Sequence, residues 1–336
     1  MKRQISYFLT GLFFLSLLIF PVKLLAAPYF EGKVITLILG YPPGGGYDRT
    51  ARILAKHLPK HIPGNPTMVV QYMPGATSMV AANFTYDQVK PDGLTISMLG
   101  RNLAFGQLLK VSGIKFDLTK FSWIGSPTAI SNVLVIREDL PYKTIFDLMK
   151  SEKQIFLGGV SPVEINTQLA LILNKFLGIN IKVAEYRGGA DIWLAIERKE
   201  IDGVCDAYDS VQIRIDRGQV RPLLRTRISQ PGIENLPINE DLTTDPIGKK
   251  VMAMHGIVGG VGRFLVAPPK TPDDVMKILR DALAKVVNED SEFKEDAKKI
   301  RLPLTYVSSE KCLEIMNFLF NQPEEIVKEF SKYVKF

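Results

Sequence analysis

Residues 34–58 read VITLILGYPPGGGYDRTARILAKHL, and this stretch decides the fold class. Its first six residues form a short apolar run, which is typical of a strand buried on both faces of a sheet. A glycine-rich turn follows at 40–47, and residues 49–58 then place apolar side chains at helical spacing. The stretch therefore predicts a strand, a tight turn and a helix, which together form the repeating unit of an α/β protein.

The turn between this strand and helix has a composition suited to binding an anion. Gly44, Gly45 and Gly46 let the backbone approach a ligand closely, and the start of the helix offers free N–H groups and a partial positive charge. Asp48 is predicted to cap the helix. The alternative interpretation is a plain strand–helix turn with a capping aspartate. Because no lysine follows the glycines, the turn is not a phosphate-binding P-loop.

Strand–helix units recur along the chain and predict a mainly parallel sheet covered by helices on both faces. Further strands are predicted at 67–71, 94–99, 132–136, 155–157, 181–184, 203–207, 220–224 and 263–267. Helices are predicted at 79–86, 145–150, 165–177, 190–198 and 273–288, and the segment 309–334 is predicted to be helical.

Two glycine-containing segments, 124–131 and 256–262, are predicted to carry the chain between two domains. On this interpretation residues 27–127 and 258–336 form a discontinuous first domain, and residues 128–257 form a second domain inserted into it. Two such connections side by side would act as a hinge.

The N-terminus has the parts of a secretory signal peptide. Lys2 and Arg3 precede an apolar run at 7–20, and small residues follow it. Residues 1–26 are predicted to be removed by cleavage after Ala26, which places the protein in the periplasm. An uncleaved membrane anchor is the alternative interpretation.

Composition limits the classes of partner and the cysteine chemistry. A hydrophobic fraction of 46% is ordinary for a globular protein. The net charge of +7 is not gathered into a dense basic stripe, so a nucleic-acid partner is not expected. An oxidising compartment would permit a bond between Cys205 and Cys312, but the sequence leaves open whether it forms.

A second turn of similar type is predicted in the inserted domain. Residues 158–162 join the strand at 155–157 to the helix at 165–177, and Ser161 and Asn166 supply polar groups beside it. Two such turns, one from each domain, could clamp an anion between them, because ligands of open α/β sheets bind beyond the carboxyl ends of the strands. The alternative is that Ser161 and Asn166 only cap a helix.

Several ordered blocks resemble the periplasmic binding proteins of tripartite tricarboxylate transporters, often called the Bug family. The most specific is 34–58. VVQYMPGATSMVAANF at 69–84, PDGLTISML at 91–99, AEYRGGADIWLAIERKEIDG at 184–203 and FLVAPPKTP at 264–272 are similar to later blocks of that family. The resemblance covers nearly all of the chain after the signal peptide.

The resemblance implies a type II periplasmic-binding-protein fold: two α/β domains, with a hinge and a ligand cleft between them. It implies a receptor that captures a small carboxylate, needs no cofactor, and delivers the ligand to membrane permease subunits. A monomer is expected. The ligand-binding residues implied by matching motifs are Pro43, Gly44, Gly45, Gly46, Tyr47, Asp48, Gly159, Ser161, Asn166, Tyr186, Gly188 and Gly189. Tyr41, Arg101, Asn102, Arg187 and Asp206 are further candidates at the cleft.

The chain also departs from the family pattern. Tyr47 stands where a small hydroxyl residue is common, and Thr77 and Ser78 stand where glycines are common. Asp206 and Asp209 are predicted near the cleft, where they would repel a second carboxylate and favour an amine, a hydroxyl or a cation. The alternative is that these two aspartates face solvent.

The sequence gives less support to two other function classes. His57 and His61 share a helix face, but no glutamate or third ligand completes a metal site, so a solvated pair is favoured and no metal is expected. No nucleophile motif supports an enzyme. A ligand-sensing receptor that feeds a signalling partner would use the same fold, and the sequence does not separate it from a transport receptor.

Overall fold

A computed structural model describes residues 27–334, so the predicted signal peptide at 1–26 lies outside the described residues. Within them the chain forms two separate β-sheets with helices packed on their faces. None of the described helices is long and apolar enough to cross a lipid bilayer.

Eleven strands form these sheets. In chain order they are β1 (Val34–Leu39), β2 (Thr67–Tyr72), β3 (Thr95–Met98), β4 (Ser122–Ser126), β5 (Asn132–Arg137), β6 (Ile155–Gly159), β7 (Ile181–Glu185), β8 (Gly203–Ala207), β9 (Val220–Arg225), β10 (Leu265–Ala267) and β11 (Val307–Ser308). The first sheet has the order β11-β4-β10-β3-β1-β2, and the second has the order β7-β6-β8-β5-β9. The second sheet is thus built from one continuous middle part of the chain.

Twelve α-helices connect and cover the strands. They are α1 (Gly46–His57), α2 (Met79–Asp87), α3 (Leu103–Leu108), α4 (Ile145–Met149), α5 (Ile165–Leu177), α6 (Gly189–Glu197), α7 (Tyr208–Asp216), α8 (Pro246–Ile257), α9 (Asp273–Asn288), α10 (Ser291–Lys299), α11 (Ser309–Phe320) and α12 (Glu324–Ser331). Three clusters of buried apolar side chains lie between these helices and the sheets. Burial of this apolar surface is the main stabilising contribution to such a fold.

The prediction of a mainly parallel sheet is wrong, because both sheets are mixed. In the first sheet β1 runs parallel to β2 and β3, but β10 runs antiparallel to β3 and β4. In the second sheet β6 runs parallel to β7 and β8, but β5 runs antiparallel to β8 and β9. Strands β5 and β10 are the first strands after the two crossings between the sheets. Burial patterns in a sequence identify strands of this kind but carry no information about their direction.

The structure confirms the predicted bounds of several elements and corrects others. The strands at 34–39 and 203–207 and the helices at 165–177 and 273–288 begin and end as predicted. The C-terminal segment divides into α11 and α12 ahead of Pro323, while α3, α7, α8 and α10 were not predicted.

The first crossing is shorter than predicted because part of it is strand β4. Trp123 and Ile124 of that strand are fully buried. Gly125 has a φ of 132° and lies against the backbone of Val307 in β11, so the glycine that suggested a linker instead permits a close contact between two strands.

The two crossings contact each other. The Ile130 N–H donates to the Gly259 carbonyl over 2.8 Å, and a Cβ added at Gly259 would collide with the carbonyl oxygen of Ile130. The glycines at 256–262 therefore serve close backbone packing. The domain boundaries given above remain a prediction.

The two cysteines are both free and buried, Cys205 in β8 and Cys312 in α11. Burial raises the pKa of Cys205, and that of Cys312 rises to about 12 for the same reason, so neither thiol is reactive near neutral pH.

We expect Gly259→Ala to destabilise the protein by about 1–3 kcal/mol, because the added methyl group overpacks the contact between the crossings. Gly188→Ala is the matched control, since a Cβ at Gly188 meets no atom within 4 Å. Urea unfolding of both variants measures the difference. Equal midpoints for the two variants would contradict the tight crossing.

Candidate functional site

A cavity of about 320 Å³ lies between the two sheets. One wall consists of the β1–α1 turn, the segment after β3 and Arg263 ahead of β10, all next to the first sheet. The other wall consists of the end of β6, the starts of α5 and α6, and the end of β8. Its volume matches the small end of the range for ligand sites.

Ten of the candidate ligand-binding residues line this cavity. They are Tyr41, Gly45, Gly46, Tyr47, Arg101, Asn102, Gly159, Asn166, Gly189 and Asp206. Pro43, Gly44, Asp48, Ser161, Tyr186, Arg187 and Gly188, also predicted, lie outside its lining. The structure thus brings together residues from both predicted glycine-containing turns and from the block at 184–203.

The prediction that Asp48 caps α1 is wrong. The N-cap position is Gly45, and Asp48 lies buried in the first helical turn. Its carboxylate accepts hydrogen bonds from Gly44 N–H (2.8 Å), Tyr72 O–H (2.6 Å) and Arg52 Nε (2.8 Å). Desolvation opposes ionisation of Asp48, but these donors outweigh it and lower its pKa. With three donors already bound, this carboxylate fixes the shape of the turn.

The other residues outside the lining have local roles. Pro43 and Gly44 are exposed, and Gly44 has a φ of 98°, which a residue with a side chain rarely adopts. The Ser161 hydroxyl accepts from Val163 N–H at 3.3 Å, which closes a short turn ahead of α5. Tyr186 donates its backbone N–H to the Gly159 carbonyl at 2.8 Å, which positions a cavity residue.

Two tyrosines form one side of the cavity. The rings of Tyr41 and Tyr47 stack with their centroids 4.4 Å apart. The Tyr41 hydroxyl donates to Asn102 Oδ1 at 2.9 Å, and the Tyr47 hydroxyl accepts from Arg101 N–H at 3.3 Å. Burial raises the pKa of Tyr41, so it remains a neutral hydrogen-bonding group. Tyr47 is therefore a structural part of the wall, in place of a small hydroxyl.

A chain of hydrogen bonds crosses from one sheet to the other beneath the cavity. Arg101, which is only 7% exposed, donates through Nη2 to Asn132 Oδ1 at 2.7 Å. Asn132 Nδ2 donates to Asn166 Oδ1, and Asn166 Nδ2 donates to Asp206 Oδ1, each at 2.7 Å. Nη1 of Arg101 has no partner among residues 27–334. Because a guanidinium keeps its charge, this buried nitrogen is a free charged donor.

The sequence analysis missed Arg263, which is 2% exposed and lines the cavity. Its Nη2 donates to Asp209 Oδ2 at 2.7 Å, and its guanidinium lies 5.5 Å from the ring centroid of Tyr47. A Cβ added at Gly46 would collide with the same Nη2, so this glycine makes room for the arginine. Nε and Nη1 of Arg263 have no partner in the described part of the chain. Asp209, for which a solvent-facing position was the alternative, is buried by this pair.

Glu164, also missed, lies at the cavity beside Asp206. Desolvation is the main cause that raises the pKa of Glu164 to about 7; Arg101 opposes the rise, and Asp206 adds to it. Desolvation likewise raises the pKa of Asp206 to about 6, against hydrogen bonds from Ala207 N–H and Asn166. From sequence alone, a glutamate just before a helix is expected to be exposed to solvent. Its position at the cavity is therefore evident only from the fold.

Three other candidates lie away from the cavity. Arg187 is 92% exposed along its side chain and pairs with Asp191. The prediction of a solvated histidine pair is wrong for His57, which is fully buried; its Nε2 lies 3.0 Å from Asp296, and His61 Nε2 lies 2.8 Å from Asp290. Within residues 27–334, no group of three or more histidine, cysteine, aspartate or glutamate side chains is arranged to hold a metal ion.

Comparisons with known proteins give relatives of this chain in sequence and in fold. The family model described as the tripartite tricarboxylate transporter family receptor matches residues 50–331. A UPF0065 protein of Bordetella pertussis (strain Tohama I) is 30% identical over 265 residues, which is 76% of this chain and 77% of the relative.

Two solved structures illustrate the likeness of fold. An R. palustris protein with adipate has a TM-score of 0.69 at 18% identity and covers 89% of this chain and 98% of its own. MatC from Rhodopseudomonas palustris with bound malate has a TM-score of 0.65 at 16% identity and covers 91% of this chain and 100% of its own. The matches show the α/β fold of a periplasmic binding protein with two domains.

The buried pair of Arg263 and Asp209 generates a stability prediction. Asp209→Asn keeps the shape of the side chain but leaves the Arg263 charge unpaired, so we expect a loss of about 3–5 kcal/mol. The control is Asp191→Asn, which breaks the exposed pair with Arg187 and should barely move the unfolding midpoint. Urea unfolding at neutral pH without ligand gives both values. A loss no larger than that of the control would show that Arg263 is compensated by other groups.

Proposed function

Because the chain belongs to the tripartite tricarboxylate transporter receptor family, we propose that it captures a small carboxylate in the cavity between its two sheets. The family is one of transport receptors, so binding and release are the expected activity. We further propose that the protein is exported by its N-terminal segment and delivers its ligand to membrane subunits of a tripartite transporter.

The cavity with its two buried arginines is the observation that carries this proposal. Arg101 and Arg263 line the cavity next to the glycine turn, and each has at least one enclosed N–H group without a partner in the described residues, which a ligand would reach after a shift of the side chain. A carboxylate can accept hydrogen bonds from such charged donors, and charge-assisted bonds of this kind are strong when water is excluded. The adipate and malate held by two structural neighbours support the same class of ligand.

Binding is proposed to proceed by closure of two domains, 27–127 with 258–336 and the inserted 128–257. Hydrogen bonds between the sheets are already present, from Arg101 to Asn132 and from Arg263 to Asp209. A ligand that accepts the remaining arginine N–H groups would add bonds at the same place. The closed form is therefore the one that the ligand stabilises.

A thermal-shift screen of the purified protein tests the ligand class. Its arms are mono-, di- and tricarboxylates, amino acids, aromatic acids and neutral sugars. A ligand present at about 100 times its dissociation constant should add roughly 2.7 kcal/mol to stability, which gives a readable rise in melting temperature. We expect a rise with at least one acid and none with sugars. A rise with a sugar alone would overturn the proposed class of ligand.

Gly45→Val tests the glycine turn. Gly45 has an ordinary φ of −86°, no atom lies within 4 Å of an added Cβ, and the residue lines the cavity. Valine should therefore leave the fold intact and fill ligand space, which weakens binding of the acid found in the screen by about 100-fold or more. Calorimetry measures the affinity, and Gly188→Val, outside the cavity lining, is the control. An unchanged affinity in Gly45→Val would remove this turn from the site.

A further inference from the structure

Two carboxyl groups lie in the cavity opposite its arginines. A receptor for simple acids does not require such carboxyl groups. Glu164 and Asp206 line it together with Arg101 and Arg263. Arg263 is already paired with Asp209, so its charge is offset within the protein. Two carboxyl groups therefore face a single cation, Arg101, whose charge no ion pair offsets in the described residues.

We propose that the ligand is a small amine-bearing acid, with its carboxylate at Arg101 and Arg263 and its ammonium group at Glu164 and Asp206. This inference rests on the proposed function and narrows its class of ligand. The two ends of the cavity would then recognise the two opposite charges of one zwitterion.

The cationic end offers donors that only an acceptor can satisfy. Nη1 of Arg101 and both Nε and Nη1 of Arg263 are buried and have no hydrogen-bond partner among the described residues. All the nitrogens of a guanidinium are donors, so only an acceptor atom, such as a carboxylate oxygen, can satisfy these nitrogens. A ligand carboxylate supplies up to four such lone-pair sites and fits this end.

The acidic end offers acceptors to a donor. Asp206 Oδ1 is occupied by Asn166 Nδ2 and Ala207 N–H, both at 2.7 Å, while its Oδ2 accepts no hydrogen bond within residues 27–334. Only burial and the charges of Arg101 and Asp206 act on the Glu164 carboxyl, with no hydrogen bond from the described residues. An ammonium group carries three donors and no lone pair, so it matches these oxygens, whereas a second ligand carboxylate would find a donor only where one of these carboxyls is protonated.

Charge balance favours the zwitterion over a plain diacid. A dicarboxylate brings two more negative charges into a cavity where Asp206 and Glu164, although partly protonated, already offset the charge of Arg101. An amino acid with one carboxylate brings no net charge and separates its two charges toward opposite partners. Buried charges are costly unless each one is paired, so the second arrangement binds with the smaller desolvation penalty.

The same geometry predicts the direction in which protons move. The raised pKa values of Glu164, about 7, and Asp206, about 6, mean that part of this pair is protonated near pH 6.5. An ammonium group beside these carboxyls lowers their pKa and releases protons on binding, whereas a plain carboxylate raises it and takes protons up. The other ionisable groups that act on this pair are Arg101, Tyr41, Asp209, Cys205 and Arg214.

Calorimetry with matched acids at pH 6.5 tests the inference. The pairs are succinate with aspartate, glutarate with glutamate and propionate with β-alanine, each titrated in two buffers of different ionisation enthalpy. We expect at least one amino member to bind about 100-fold tighter than its plain partner, because the plain acid leaves the acidic end unpaired. Proton release should accompany that binding.

Two variants test whether Glu164 and Asp206 cause the preference for the amino acid over the plain acid. Glu164→Gln and Asp206→Asn each keep the side-chain shape, and we expect each to reduce the preference about tenfold or more and to diminish the proton release. Glu185→Gln, an exposed position in β7 outside the cavity lining, should keep both. The melting temperature without ligand shows whether each variant is folded. If one variant does not fold, the other still tests the inference.

The outcomes separate this inference from the function on which it rests. Tighter binding of the plain acids, proton uptake with the amino acids, or a preference that survives in both cavity variants would overturn the zwitterion and leave a carboxylate receptor. Binding of ethylamine-type cations alone, with no acid of either kind bound, would overturn the carboxylate receptor as well.

Discussion

The pairing of Arg263 with Asp209 is the contact on which the rest of the site depends. It joins the first sheet to α7 of the second through one buried hydrogen bond of 2.7 Å. Glycine is required at position 46 because the guanidinium occupies the space that a Cβ would need, and the ring of Tyr47 lies beside the same group. Because removing an ion pair from water is costly, this contact is favourable only where the surrounding walls hold both partners in good hydrogen-bonding geometry. The turn, the tyrosine wall and the approach of the two sheets are thus linked through one arginine.

The second constraint is a backbone conformation that the chain maintains without glycine. Ala76, Thr77 and Ser78 have φ values of 43°, 53° and 79°, where the family resemblance led us to expect glycines at the last two positions. Such φ values disfavour residues with a Cβ. The Ser78 hydroxyl accepts from Gly100 N–H at 3.1 Å, and Asn102 Nδ2 donates to the Thr77 carbonyl at 3.3 Å. These bonds tie the strained turn to the segment that carries Arg101, so the strain is offset by contacts that position a cavity residue.

Local sequence patterns predict some features of this structure and not others. Continuous apolar runs and strong helical spacing predicted β1, α5, β8 and α9 to the residue, and the glycine turns marked where the sheets meet. Strand direction in β5 and β10 depends on long-range pairing, which no local pattern records. Arg263 and Glu164 were missed for a related reason: charged residues are usually exposed, and only the assembled walls bury these two at the cavity. A charged residue directly after a glycine-rich crossing, as Arg263 is, was the one available signal.

The distribution of charge between the walls bears on how binding and closure are coupled. The chain from Arg101 through Asn132 and Asn166 to Asp206 begins at the first sheet and ends at the acidic end of the cavity. A ligand that pairs with both Arg101 and Asp206 satisfies the charged groups at the two ends of one hydrogen-bonded chain. A ligand that engages only the arginines satisfies one end and leaves the acids desolvated. With the proposed zwitterion, closure would be favoured by the pair of opposite charges on the ligand more than by either charge alone, and the cavity would discriminate through the cost of leaving its second end unpaired.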